Sequence, residues 1–146
     1  IKFSSKLYGF KYIILRPFLI ISFYKKNGVI YDFNNKIKNY IKYNKNIIVG
    51  DIKNIKRDFL DVKIANLMIL NLIKNNIFDE TFNICSSIET SLHDIFLKLC
   101  SKYNKKIRYK VDKSMSNNYE NNFRVGNNRK ILKYCNSFDL DIMNYL

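Results

Sequence analysis

The sequence predicts an α/β fold, and three observations carry that prediction. First, β-rich apolar segments alternate with segments of helical period along the chain. Second, the run from Phe10 to Arg16 is almost wholly apolar in its middle and is stopped by Pro17. A strand covered on both faces reads this way, and proline cannot donate to a ladder. Third, residues that start or end helices stand at the changeovers, such as Gly9 and Asp61. The chain has 146 residues, 47% of them hydrophobic and 15% aromatic, enough for a packed core. No internal repeat or linker divides it, so residues 1–146 read as one domain.

Taken in order, Leu7-Tyr8-Gly9 closes a helix, with Gly9 in the left-handed position past its end. Phe10 to Arg16 is the first strand. From Val29 the period becomes helical: Val29, Phe33, Ile37, Tyr40 and Ile41 share a face, with Lys36, Lys38 and Lys42 largely off it. Asn44 to Asn46 ends that helix, Ile47 to Val49 is a short strand, and Gly50-Asp51 turns the chain. Arg57 to Leu60 is extended. Asp61 caps a helix whose buried stripe is Ala65, Met68, Ile69, Leu72 and Ile73. Thr81 to Cys85 is a strand. Thr90 or Ser91 caps a helix carrying Leu92, Ile95, Phe96, Leu97 and Cys100 inward. Lys106 to Val111 alternates as an edge strand would. Ser114 to Asn122 is a polar loop, and short helical pieces follow from Asn128 to Tyr134 and from Asp139 to Tyr145.

The net charge of +14 invites a nucleic-acid partner, because basic surfaces release counterions from phosphate. Only five of the 26 basic residues are Arg, however: Arg16, Arg57, Arg108, Arg124 and Arg129. The lysines are scattered along the sequence, and Lys, Asn, Ile, Tyr and Phe all share AT-rich codons. A solvated surface is the simpler reading, and a nucleic-acid partner is set aside. Cys85, Cys100 and Cys135 are odd in number and far apart, which disfavours disulfides and zinc. Reduced thiols point to a cytoplasmic protein. No apolar run reaches the ~18 residues of a membrane span. His93 is the sole histidine, and no acid, nucleophile or metal partner stands at a useful spacing from it. Asp139 and Asp141 are too isolated to form a catalytic carboxylate pair.

Four segments then carry a resemblance. They are Ile13-Ile14-Leu15-Arg16-Pro17-Phe18; Gly50-Asp51 with Arg57-Asp58-Phe59-Leu60-Asp61-Val62; Phe82-Asn83-Ile84-Cys85-Ser86-Ser87 with Thr90-Ser91; and Val125-Gly126-Asn127 with Lys130-Ile131. Their order and spacing resemble the extended short-chain dehydrogenases, the NAD-dependent epimerase/dehydratase family. The wording is nearest the GDP-4-dehydro-6-deoxy-D-mannose reductases. The resemblance implies the C-terminal part of a Rossmann-type enzyme: the last sheet strands plus the small substrate-binding subdomain. It implies NAD(P) and a nucleotide-sugar substrate in the full-length protein, and allows a homodimer there. It places Arg57 near the nucleotide's phosphates, with Val29, Asn117 and Glu120 also on the substrate side, and Arg16 and Pro17 on the cofactor side. Guanidinium suits phosphate because it offers fixed, bidentate charge. The competing role for Arg57 is an ion pair with Asp58 or Asp61.

The chain also departs from the pattern. Its four glycines, Gly9, Gly28, Gly50 and Gly126, form no cluster that could cradle a dinucleotide pyrophosphate. The catalytic Tyr-x-x-x-Lys pair of the family falls before Ile1 by its usual spacing, so the chain reads as a piece of a longer one. NAD(P) is not expected to bind these residues alone. Leu19 replaces the usual Asn, Ser22-Phe23-Tyr24 replaces a Gly-Pro-Gly turn, and Asn117-Asn118-Tyr119-Glu120 replaces an Arg-Pro-x-Asp motif. A non-enzymatic remnant or partner-binding domain is therefore the alternative reading, and an exposed apolar strand face would be its mark.

Overall fold

A computed structural model describes residues 1–22, 24–103, 106–115, 123–135 and 137–146. The elements in chain order are α1 (Lys2–Tyr8), β1 (Ile13–Pro17), β2 (Leu19–Ile21), α2 (Val29–Tyr43), β3 (Ile47–Val49), β4 (Lys56–Asp61) and α3 (Val62–Lys74). They continue with β5 (Glu80–Ile84), β6 (Glu89–Ser91), α4 (Leu92–Ser101), β7 (Tyr109–Val111), β8 (Phe123–Arg124) and α5 (Arg129–Leu132). Single 3₁₀ turns lie at Lys113–Met115 and Ile142–Asn144. The α/β class is as expected. The chain forms two compact units, each assembled from separated segments, so no linker composition could mark them.

The first unit comprises Ile1–Ile21, Asp58–Ile88 and Val125–Ile142. Here β1 lies parallel to β5, from Ile13 opposite Glu80 to Pro17 opposite Ile84. β2 runs parallel to the Phe59–Asp61 end of β4. Phe59, Leu60, Met68, Leu72, Phe82, Ile84 and Ile131 are fully buried here. Asp61 caps α3 as expected, accepting from the Lys63 amide at 2.8 Å. Gly9 ends α1 with φ 71°. Lys130 pairs with Glu80 at the surface, and that hydrogen bond holds the Glu80 carboxyl below its usual range.

The second unit comprises Ser22–Arg57, Glu89–Arg124 and Met143–Leu146. Helices α2 and α4 pack through Phe33 and Phe96, whose rings meet edge-on at 5.2 Å. Phe96 also meets Tyr109 edge-on at 4.9 Å, which seats β7 on the helices. β3 lies parallel to β7, with Ile47 opposite Tyr109 and Val49 opposite Val111. The Lys56–Arg57 end of β4 pairs with β8, and Lys56 forms an ion pair with Glu89. Ser91, not Thr90, caps α4, accepting from the Asp94 amide at 3.0 Å. Asn44 ends α2 in the left-handed conformation.

Three helix and strand expectations need correction. Ile73 and Leu97, expected inward, are 47% and 43% exposed, while Ile64 and Leu99 are buried instead. Both helices are apolar around much of their circumference, so periodicity alone misplaces the stripe by a residue or two. β2 was not foreseen, because only its distant pairing with β4 makes it a strand. The strand expected from Lys106 starts at Tyr109.

Candidate functional site

Strand β4 carries the Arg57-Asp58 pair toward which the sequence points. Asp58 is 1% exposed, so its carboxylate must be satisfied internally. Oδ1 accepts from the Ser86 amide and the Ser86 hydroxyl, both at 2.7 Å. Oδ2 accepts from the Ser87 amide at 2.9 Å and the Gly126 amide at 3.0 Å. Four donors on one buried carboxylate knot the turn after β5 to the loop before α5. Asn128 completes the knot. Its side-chain amide donates to the carbonyls of Cys85 and Ser86, and its own backbone amide donates to the Ser87 hydroxyl. Ser87 takes φ 62°, a left-handed turn that aims its amide inward.

Gly126 is needed for space rather than for φ. A Cβ there would stand 2.5 Å from the Cys85 sulfur and 2.8 Å from the Phe18 ring. Burial pushes the Cys85 thiol up to about 11, and does the same for Cys100. It also raises Cys135. All three are free thiols held in the protonated, unreactive form.

The expected site residues divide between the units. Arg16 and Pro17 lie exposed at the end of β1 in the first unit, opposite Asn83 and Ile84. Arg57 is half-buried on β4 in the second unit, and its guanidinium donates to the Lys56 carbonyl at 2.8 Å. Val29 is half-buried as the first residue of α2. Asn117 and Glu120 lie outside the described residues. Asp58 and Asp61, the acids beside Arg57 in sequence, serve the knot and the α3 cap respectively. Sequence reasoning missed the knot. The signal was there in the small residues Ser86-Ser87 and Gly126, but nothing local connects them to Asp58.

The Nε2 of His93 shares a 2.9 Å hydrogen bond with the Tyr109 hydroxyl and ties α4 to β7. Asp139 accepts from the Asp141 amide within one turn. Among the described residues no group of three His, Cys, Asp or Glu could hold a metal, and no helix is long and apolar enough to cross a membrane. A dinucleotide pyrophosphate needs a glycine-lined strand-to-helix turn. Gly9 ends a short helix, Gly28 stands at the N-cap of α2, and Gly126 packs under Cys85.

No family model and no curated protein matches the sequence. Solved structures do match the fold. RMD from Pseudomonas aeruginosa, complexed with NADPH, aligns with a TM-score of 0.75 at 20% identity, over 92% of this chain and 44% of that one. The chain has the α/β fold of part of a Rossmann-type extended short-chain dehydrogenase. A UDP-N-acetylglucosamine 4-epimerase from Methanobrevibacter ruminantium, in complex with UDP-N-acetylmuramic acid, aligns at 0.73 and 18% identity, over 96% of this chain and 44% of that one. A GDP-L-fucose synthetase from Naegleria fowleri aligns at 0.72 and 16% identity, over 87% and 40%. This chain thus spans about two fifths of the length of the short-chain dehydrogenase-type structures it matches.

Proposed function

We propose that this chain is the substrate-side part of an NAD(P)-dependent enzyme that reduces, epimerises or dehydrates a GDP- or UDP-linked sugar. The observation that carries the reading is the shared fold: nearly all of this chain aligns with part of enzymes named for nucleotide sugars. Arg57 binds the diphosphate, and Val29, Asn117 and Glu120 are the further substrate-side residues. Arg16 and Pro17 face the cofactor, which a dinucleotide-binding part beyond these residues holds.

The first unit has the bare apolar strand that this reading and a remnant without that part share. Among the described residues β1 pairs only with β5, and the apolar run leading into it is not covered on both faces. Phe10 is 44% exposed, and on α1 Phe3 is 79% and Leu7 61% exposed. An open strand edge beside bare apolar surface is a docking place for further sheet.

Calorimetric titration with GDP-mannose, UDP-glucose, GMP and UMP tests the reading. A sugar diphosphate should bind where the mononucleotides do not. Arg57→Ala should weaken that binding at least tenfold, in keeping with a lost charge-assisted contact of about 1.5–3 kcal/mol. Absence of binding by any nucleotide-sugar, also after co-expression with a dinucleotide-binding half, would reject substrate-side identity. Turnover of a nucleotide-sugar by this chain alone with NAD(P)H would reject the need for a second part.

A further inference from the structure

The second unit is polarised in charge, which the linear sequence hides. Residues 33–50 hold Lys36, Lys38, Lys42 and Lys45 and no acid. Residues 95–111 hold Lys98, Lys102, Lys105, Lys106, Arg108 and Lys110 and again no acid. These two segments are neighbours in space: α2 packs on α4, and β3 pairs in parallel with β7. Each helix leads into the start of its strand. The helix C-termini and the strand starts therefore converge at one pole. Asp32 and Asp94 sit in the first turns at the other ends of the same helices.

At the basic pole lies a cleft of about 630 Å³ lined by Tyr40, Asn44, Asn46, Ile47, Ile107, Arg108, Tyr109 and Lys110. It offers two aromatic rings, two carboxamides and two cations, and no carboxylate. Tyr43 stands beside it, 56% exposed, with the Lys42 and Lys45 ammonium groups 4.9 and 5.9 Å from its ring centre. Some of this charge has a structural use: Lys36 donates to the Ile48 carbonyl at 2.6 Å, and Lys42 and Lys98 lie in last helical turns and complement the helix dipoles. Arg108 and Lys110 have no such use: both are exposed, and neither has a hydrogen-bond or ion-pair partner among the described residues.

We propose that this pole is a binding site for single-stranded nucleic acid, with Arg108 and Lys110 on phosphates and bases entering the cleft against tyrosine. Stacking rings within a basic groove suit an unpaired strand, whose bases are free to turn in, better than a duplex. A polymer also explains why the cations extend beyond the cleft onto both helices. The site lies at the far end of α2 from Val29, ~22 Å away for 15 residues at 1.5 Å each. It shares no residue with the proposed nucleotide-sugar site and does not depend on that reading.

Fluorescence anisotropy of the full chain with labelled twelve-residue oligo-U and oligo-dT, across a potassium chloride series, tests this. For about four contacted phosphates the log–log salt slope should be about −3, since single strands give about −0.7 per contact. Arg108→Glu/Lys110→Glu should weaken binding at least tenfold and flatten the slope. Tyr40→Leu, which keeps all charge, should weaken it severalfold with the slope unchanged. Lys63→Glu/Lys74→Glu, an equal charge change in the first unit, should leave most of the affinity. Equal losses for the two double variants, both still folded by circular dichroism, would overturn the proposal, as would tighter binding of duplex. Full competition by ATP or inorganic phosphate at the oligomer's own affinity would reduce the site to a small-anion pocket. Binding to phosphatidylserine vesicles without binding to either oligomer would assign the pole to membranes instead. Oligo-U against oligo-dT distinguishes RNA from DNA.

Discussion

Asp58 holds four donors in a place water does not reach, so its replacement has a calculable direction. Asp58→Ala strands three backbone amides and a hydroxyl, and a loss of about 3–5 kcal/mol is expected in urea unfolding. Asp58→Asn should recover little, because its NH₂ would face amide donors. Gly126→Ala drives a methyl into the Cys85 sulfur and the Phe18 ring, so it should also destabilise. Adding Cys85→Ala removes the sulfur but leaves the Phe18 contact. The double variant should then lose less stability than the two single losses summed, a coupling that a double-mutant cycle measures. The thiols give a pH prediction. Cys85 and Cys100 ionise near 9.0 when unfolded and at about 11 when folded. The unfolded state then loses protons first, so their contribution to stability is intact below pH 9 and is lost as pH rises toward 11. A thiol reagent at pH 8 should accordingly label Cys85 and Cys100 slowly in the folded protein and rapidly in urea.

At the level of elements, the caps do what the sequence assigns them. Ser91→Ala removes the acceptor of the Asp94 amide and should cost about 1 kcal/mol. α1 is the opposite case, because none of its residues is buried. Removing residues 1–8 should leave the melting temperature within a degree or two; in the intact chain, hydrogen exchange should be fastest at the α1 and β1 amides and slowest at Phe59, Leu60, Met68 and Leu72. α3 shows where element-level reading stops. Leu67, Leu70 and Ile73 are as apolar as Ile64, Met68 and Leu72, yet the first three face out. Which stripe faces inward depends on what the helix packs against, and that is not a local property.

For the whole molecule, a net charge of +14 on 146 residues implies self-repulsion. Raising salt from about 20 to about 200 mM should therefore raise the melting temperature, because added ions screen that repulsion. The chain by itself determined the class and order of elements, since caps, breakers and periodicity are local: Gly9, Pro17, Asn44, Asp61 and Ser91 all mark boundaries where they were expected. It also supplied the four-segment resemblance that the shared fold supports. Tertiary structure decided everything that depends on residues far apart in sequence. It made Leu19–Ile21 a strand, and gave Asp58 the amides of residues 28 to 68 positions away. It divided the chain into two units built from interleaved segments. It also gathered lysines that look scattered into one pole, because parallel β3 and β7 bring two acid-free segments side by side. Spacing along a chain records which residues share a turn; only the fold records which share a surface.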